Sequence, residues 1–133
     1  MLDGKISGRK VLIVDDEATI ARTLSIIFKN RGFDARAAYS AEEALQVMQN
    51  WEPEIAIIDV CLPAMNGIDL AILLMNTHPK CKLVLFSGQP RSAELSDQAA
   101  KEGHLFEILA KPVHPDVLLE RAAQLLSPMQ TDA

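Results

Sequence analysis

Short apolar runs alternate along this chain with segments of helical spacing, and four of the runs end in a polar residue of a particular chemical kind. Val11 to Val14 leads into Asp15-Asp16, Ile55 to Ile58 into Asp59, Leu83 to Phe86 into Ser87, and Ile108 to Ala110 into Lys111. Such alternation is the signature of βαβ units and a parallel sheet. In an open parallel sheet the carboxyl ends of the strands line the crevice where ligands bind. Three carboxylates, a hydroxyl and an ammonium are therefore expected to share one small site.

The intervening segments set the element count. Ile20, Leu24, Ile27 and Phe28 share one helical face ahead of Gly32, a left-handed stop. Ser40 with Glu43 three residues on reads as the capping box of a second helix that buries Ala44, Leu45 and Met48. Ile68, Ala71, Ile72 and Met75 mark a third, between Gly67 and Pro79. Arg91 to Glu102 forms a fourth with a poor apolar face, carried by Leu95 and Ala99, and the last starts at Pro115 and buries Leu118, Ala122 and Leu125. Five strands and five helices joined by right-handed crossovers predict an α/β fold, a doubly wound five-stranded parallel sheet in a flavodoxin-like three-layer α/β/α sandwich. The domain is expected over residues 8–127, with short tails at 1–7 and 128–133.

Composition excludes several classes. A length of 133 residues fits one domain. The net charge of −5 opposes phosphate backbones and no Lys/Arg stripe offsets it, so direct nucleic-acid binding is not expected. The longest apolar stretch, Leu70 to Met75, is far short of a membrane span, and Met1 to Lys10 is polar, which points to a cytoplasmic protein. Cys61 and Cys81 lack CxxC spacing and neighbouring histidines, so both are expected as reduced thiols. His78, His104 and His114 fall in separate loop-like segments and are expected in solvent rather than on a metal.

The strand-end residues carry the chemistry. Asp15 and Asp16 sit in one turn between a strand and a helix, and Asp59 brings a third carboxylate, a cluster that raises at least one pKa unless a cation is bound. Mg²⁺ suits such a cluster, since it takes one or two carboxylates, a carbonyl and several waters, and tolerates a phosphate oxygen. Lys111 supplies a point charge for a phosphoryl oxygen and Ser87 a hydroxyl donor. These are the parts phosphoryl transfer to a carboxylate needs. Taken singly they are weaker: an acidic pair after a strand is often only a helix N-terminal charge pair, Lys111 a surface lysine and Ser87 a turn residue. The combination is what points to an aspartyl phosphate.

The stretch VLIVDDE, the segment IDVCLPAMNG with Asp59, Pro63 and Gly67, the Ser87-Gly88 pair and LAKP at Leu109 to Pro112 resemble the response-regulator receiver domain of two-component signalling, in its stand-alone, chemotaxis-regulator-like form. The resemblance covers roughly residues 8 to 127. It implies a phosphoacceptor at Asp59, supplied by a histidine kinase or a histidine phosphotransfer protein. It implies Mg²⁺ held by Asp16, Asp59 and the main-chain carbonyl of Cys61, with Asp15 acting largely through water. Ser87 and Lys111 would contact the phosphoryl oxygens, and a cis bond before Pro112 would aim Lys111 into the site. Cys61 and Gln89 correspond to positions that tune phosphoryl lifetime. An unidentified protein target, or a homodimer through the Ser92–Glu102 and Pro115–Leu126 helices, is implied for output.

One departure concerns output. The family usually has Tyr or Phe three residues before its lysine, where this chain has Ile108, stiff about χ1 and without a ring to swing. Phe106 has the same strand parity but lies about 7 Å earlier. The stretch from Gly103 to Lys111 is also one residue longer than the common pattern, to be absorbed by a bulge or a longer loop. Two other functions compete. A haloacid-dehalogenase-type phosphatase needs an aspartate two residues after the nucleophile, where Cys61 stands. A constitutive interaction module would leave the phosphorylation site unused.

Overall fold

The computed structural model describes residues 7–88, 91–104 and 106–126. Strand and helix alternate throughout: β1 (Lys10–Val14), α1 (Ala18–Asn30), β2 (Asp34–Ala38), α2 (Ala41–Val47), β3 (Ile55–Asp59), α3 (Gly67–Thr77), β4 (Lys82–Ser87), α4 (Arg91–Lys101), β5 (Ile108–Ala110) and α5 (Pro115–Leu126). All strands pair in parallel in the order β2-β1-β3-β4-β5. The expected doubly wound sandwich is therefore the fold. Strand order reverses at β1, so the crevice opens between the carboxyl ends of β1 and β3. Of the tails expected at 1–7 and 128–133, only residue 7 is among the described residues.

The period-two alternation of the strands divides the core into two layers. Leu12, Val14, Ala56, Ile58 and Leu85 pack against α2, α3 and α4. Val11, Ile13, Ile57, Val84 and Phe86 pack against α1 and α5. Each buried Leu, Ile or Phe contributes about 1.5–3 kcal/mol relative to exposure, so the central strands, buried on both faces, are where the sheet is firmest.

Local signals place most helix ends. α1 stops at Gly32 with φ +102°, a left-handed conformation that favours glycine. Ser40 Oγ accepts from the Glu43 N–H at 3.0 Å, and Glu43 Oε1 accepts from the Tyr39 N–H at 2.6 Å, so the reciprocal half of the capping box reaches one residue further back than expected. Asn66 Oδ1 accepts from the Asp69 N–H at 2.9 Å and caps α3.

Two expectations are corrected. Met75, read as part of the apolar stripe of the third helix, is 47% exposed, whereas Leu70 and Leu74 are buried. His78 and His104 are half-buried rather than exposed, His104 stacking on Phe106 at 6.4 Å between ring centroids. Of the two ways to absorb the added residue in the fifth strand's approach, the longer loop holds rather than the bulge: Leu85, Phe86 and Ser87 pair in unbroken register with Ile108, Leu109 and Ala110. The Lys111–Pro112 peptide is cis, as expected.

Candidate functional site

The carboxyl ends of β1, β3, β4 and β5 converge as the strand-end pattern predicts. Asp15 follows β1 directly and is fully buried, Asp59 closes β3 at 4% exposure, and Asp16 is exposed beside them. Each of the three offers an oxygen, and these oxygens all lie within 4.8 Å of one another. Asp15 Oδ1 also accepts from the Glu17 N–H at 2.9 Å, which fixes its carboxylate at the entry to α1.

Lys111 reaches across from the end of β5. Its Nζ donates to Asp15 Oδ2 at 2.8 Å and to Asp59 Oδ2 at 3.3 Å, with Glu17 Oε1 at 3.6 Å. The Lys111 N–H donates to the Ser87 carbonyl at 2.9 Å, so β4 and β5 hold each other's terminal site residues. Ser87 is buried, and its Oγ lies 3.7 Å from Cys61 Sγ. The Cys61 N–H donates to Asp59 Oδ1 at 3.2 Å.

Gly67 sets the floor. A Cβ at that position would fall 2.1 Å from the Asp59 carbonyl oxygen and 2.8 Å from Val60 Cα, so only glycine lets α3 start against the end of β3. The Gly67 N–H donates to the Val60 carbonyl at 2.7 Å.

The charges are unequally balanced. Burial, then the Asp15 carboxylate, raises the Asp59 pKa from its ordinary value, against the opposing pull of Lys111 and the Cys61 N–H. Burial works against the Lys111 charge, but the Asp15 and Asp59 carboxylates outweigh it and hold the ammonium above its usual range. The donor set is all hard oxygen, with one carboxylate exposed to leave room for water. That fits a small divalent cation better than a soft metal.

Sequence reasoning located Asp15, Asp16, Asp59, Ser87 and Lys111, and all five meet at this one end of the sheet. Gln89 lies outside the described residues. It missed Phe86, whose ring centroid lies 4.7 Å from Lys111 Nζ, and the Cys61–Ser87 contact. Ile108 and Phe106 do share a face, and with Ser87, Ala93, Ser96 and Asp97 they line a cavity of about 360 Å³ beneath α4. Among the described residues no helix is long and apolar enough to cross a membrane.

Comparison with known families decides the identity. The profile of the response regulator receiver domain matches residues 11–123. The chain belongs to this family. Receivers are the signalling phosphoacceptor domains of two-component systems and are not generally classed as enzymes. This receiver is 32% identical over 114 residues to the chemotaxis protein CheY of Thermotoga maritima, an alignment that covers 85% of this chain and 93% of that one. It is 31% identical over 121 residues to the regulatory protein AtoC of Escherichia coli, covering 89% of this chain and 26% of that longer protein. A CheY-like receiver structure from Methanospirillum hungatei superposes with a TM-score of 0.79 at 26% identity, over 96% of this chain and all of the other.

Proposed function

We propose that Asp59 accepts a phosphoryl group from a histidine kinase or a histidine phosphotransfer protein, and that the phosphorylated domain signals by protein–protein interaction or by relay to another histidine. The observation that carries this reading is the Asp59 carboxylate itself, buried at a strand end with Asp15, Asp16 and Lys111 converging on it. A carboxylate oxygen of Asp59 attacks phosphorus in line, the P–N bond of the donor breaks, and the departing imidazole keeps the electron pair and takes up a proton. Lys111 neutralises the phosphoryl oxygens, and the Ser87 hydroxyl donates to one of them.

Asp16, Asp59 and the Cys61 carbonyl would hold Mg²⁺, with Asp15 acting largely through water. The ion supplies charge neutralisation and orientation for the transferring group. Hydrolysis by water returns Asp59 and inorganic phosphate. Cys61 has neither carboxylate nor amide to orient that water, so self-hydrolysis is slow to moderate, and a half-life of only seconds would contradict this.

A kinase meets α1 and the site loops, whereas α4, β5 and α5 form the output face, including any homodimer through Ser92–Glu102 and Pro115–Leu126. With Ile108 in place of an aromatic, output passes through the Ser87 loop and α4 without a ring rotation. Binding of a phosphoryl mimic is expected to shift amide signals of residues 88–104, and unchanged signals there sink this route. A constitutive interaction module is the second reading, favoured only by Ile108. Incubation with a small phosphodonor and Mg²⁺ followed by intact mass measurement separates them. A phosphoryl increment that is lost in Asp59→Asn supports the switch, and no increment supports the module.

A further inference from the structure

Among the described residues four groups interact with Lys111 Nζ, and three of them are anionic: Asp15, Asp59 and Glu17. The fourth is the face of Phe86, its centroid 4.7 Å away. An ammonium within about 6 Å of a ring centroid is drawn to the negative face of the ring. The topology puts the two side chains on one face of the sheet. Phe86 pairs with Leu109 across β4 and β5, and both belong to the layer facing α1 and α5. Lys111, two residues beyond Leu109, returns to that same face. Its stem lies along Gly88, where an added Cβ would sit 3.1 Å from Lys111 Cβ and 3.4 Å from Cδ. The lysine is thus cradled by the bare backbone of Gly88 along its stem and by an aromatic ring at its head.

The ring cannot follow the lysine, because Phe86 is 2% exposed and packed among Val84, Leu24 and Leu118 in one core layer. It also differs in kind from the other three neighbours. Asp15 and Asp59 belong to the acidic cluster a divalent cation would claim, and Glu17 is an exposed side chain outside it, while the ring competes for no cation ligand. We infer that Phe86 is a positioning residue, whose ring face holds the Lys111 ammonium at the junction of Asp15 and Asp59 and keeps it aimed there when a cation occupies the carboxylates. An aliphatic side chain would fill the same volume without the attraction. The consequence for phosphoryl transfer rests on the function proposed above, whereas the ring–ammonium contact does not.

Two measurements test it. In the metal-free protein the Lys111 ε-methylene signal, assigned by its loss in Lys111→Met, is expected upfield through the Phe86 ring current and back at its ordinary position in Phe86→Leu. Site-specific replacement of Phe86 by mono-, di- and trifluorinated phenylalanine then weakens the ring face stepwise with almost no change of shape. The rate of phosphorylation by a small phosphodonor at saturating Mg²⁺ is expected to fall log-linearly along that series, by about 2- to 30-fold at the trifluoro ring, with the unfolding midpoint constant. An ε-methylene signal at its ordinary position in the wild type, or a rate that stays flat across the series, overturns the inference. If the wild type takes up no phosphoryl group, the functional reading fails, and the ε-methylene signal alone decides: shifted and lost in Phe86→Leu upholds the contact, unshifted removes it.

Discussion

Gly67 shows how a single missing side chain shapes the site. A methyl group there would overlap the Asp59 carbonyl at 2.1 Å, and backbone on both sides leaves nothing flexible to yield. Gly67→Ala is therefore expected to destabilise the domain by about 1–3 kcal/mol, the usual cost of overpacking, read as a lower urea midpoint. The same shift would move Asp59, so divalent-cation affinity should fall with it. Burial pushes the Cys81 thiol up to about 12, so at pH 8 only about one molecule in 10⁴ carries the thiolate there. Iodoacetamide at pH 8 should leave Cys81 unmodified in the folded protein and label it on unfolding, as peptide mass mapping would read. Brisk labelling of Cys81 in the native state would contradict that burial.

At the level of elements, α3 shows where a sequence pattern stops being informative. Its stretch Ile68 to Met75 is so apolar that two stripes compete, one through 68, 71, 72 and 75 and one through 67, 70, 71 and 74. Periodicity favours neither. The close approach of Gly67 to Asp59 fixes the rotation of the helix, so the second stripe faces the sheet and Met75 turns to solvent. Leu74→Ala should cost about 2–5 kcal/mol and Met75→Gln less than about 0.5 kcal/mol, a contrast that the first stripe would invert. Strands and helix ends were legible because their signals are local: apolar runs bounded by turns, Gly32 after α1, Ser40 before α2. The strand-end carboxylates, Ser87 and Lys111 were legible for the same reason, each being the residue that follows a run. Phe86 beneath Lys111 and Cys61 beside Ser87 were not, because those contacts depend on the register between strands distant in sequence.

For the molecule as a whole, the acidic cluster couples the site to stability. Burial and the neighbouring Asp15 raise the Asp59 pKa in the folded protein, so the folded state binds this proton more tightly than the unfolded one. The contribution of Asp59 is then most favourable below the ordinary carboxylate value of 3.8 and is lost as pH rises through the folded value, leaving a buried charge cluster at neutral pH. Lys111 offsets part of it, with the opposite reach: the Asp15 and Asp59 carboxylates raise its pKa above the ordinary lysine value, so the ammonium stays charged throughout the neutral range. Replacing the charge by an amide removes the burden without changing shape. Metal-free Asp59→Asn should therefore melt higher than the wild type at pH 7, by roughly 3–6 °C for a gain of about 1 kcal/mol in a domain of this size. The advantage should shrink as pH approaches 4. On the proposed function Mg²⁺ binds the folded cluster and not the unfolded chain, so it should raise the wild-type melting temperature by mass action and raise that of Asp59→Asn much less. Calorimetry of both proteins at pH 4.5 and 7, with and without Mg²⁺, reads all four terms. A wild type that melts higher than Asp59→Asn without metal at pH 7 would mean that Lys111 already balances the cluster, and that the cation has no electrostatic debt to relieve.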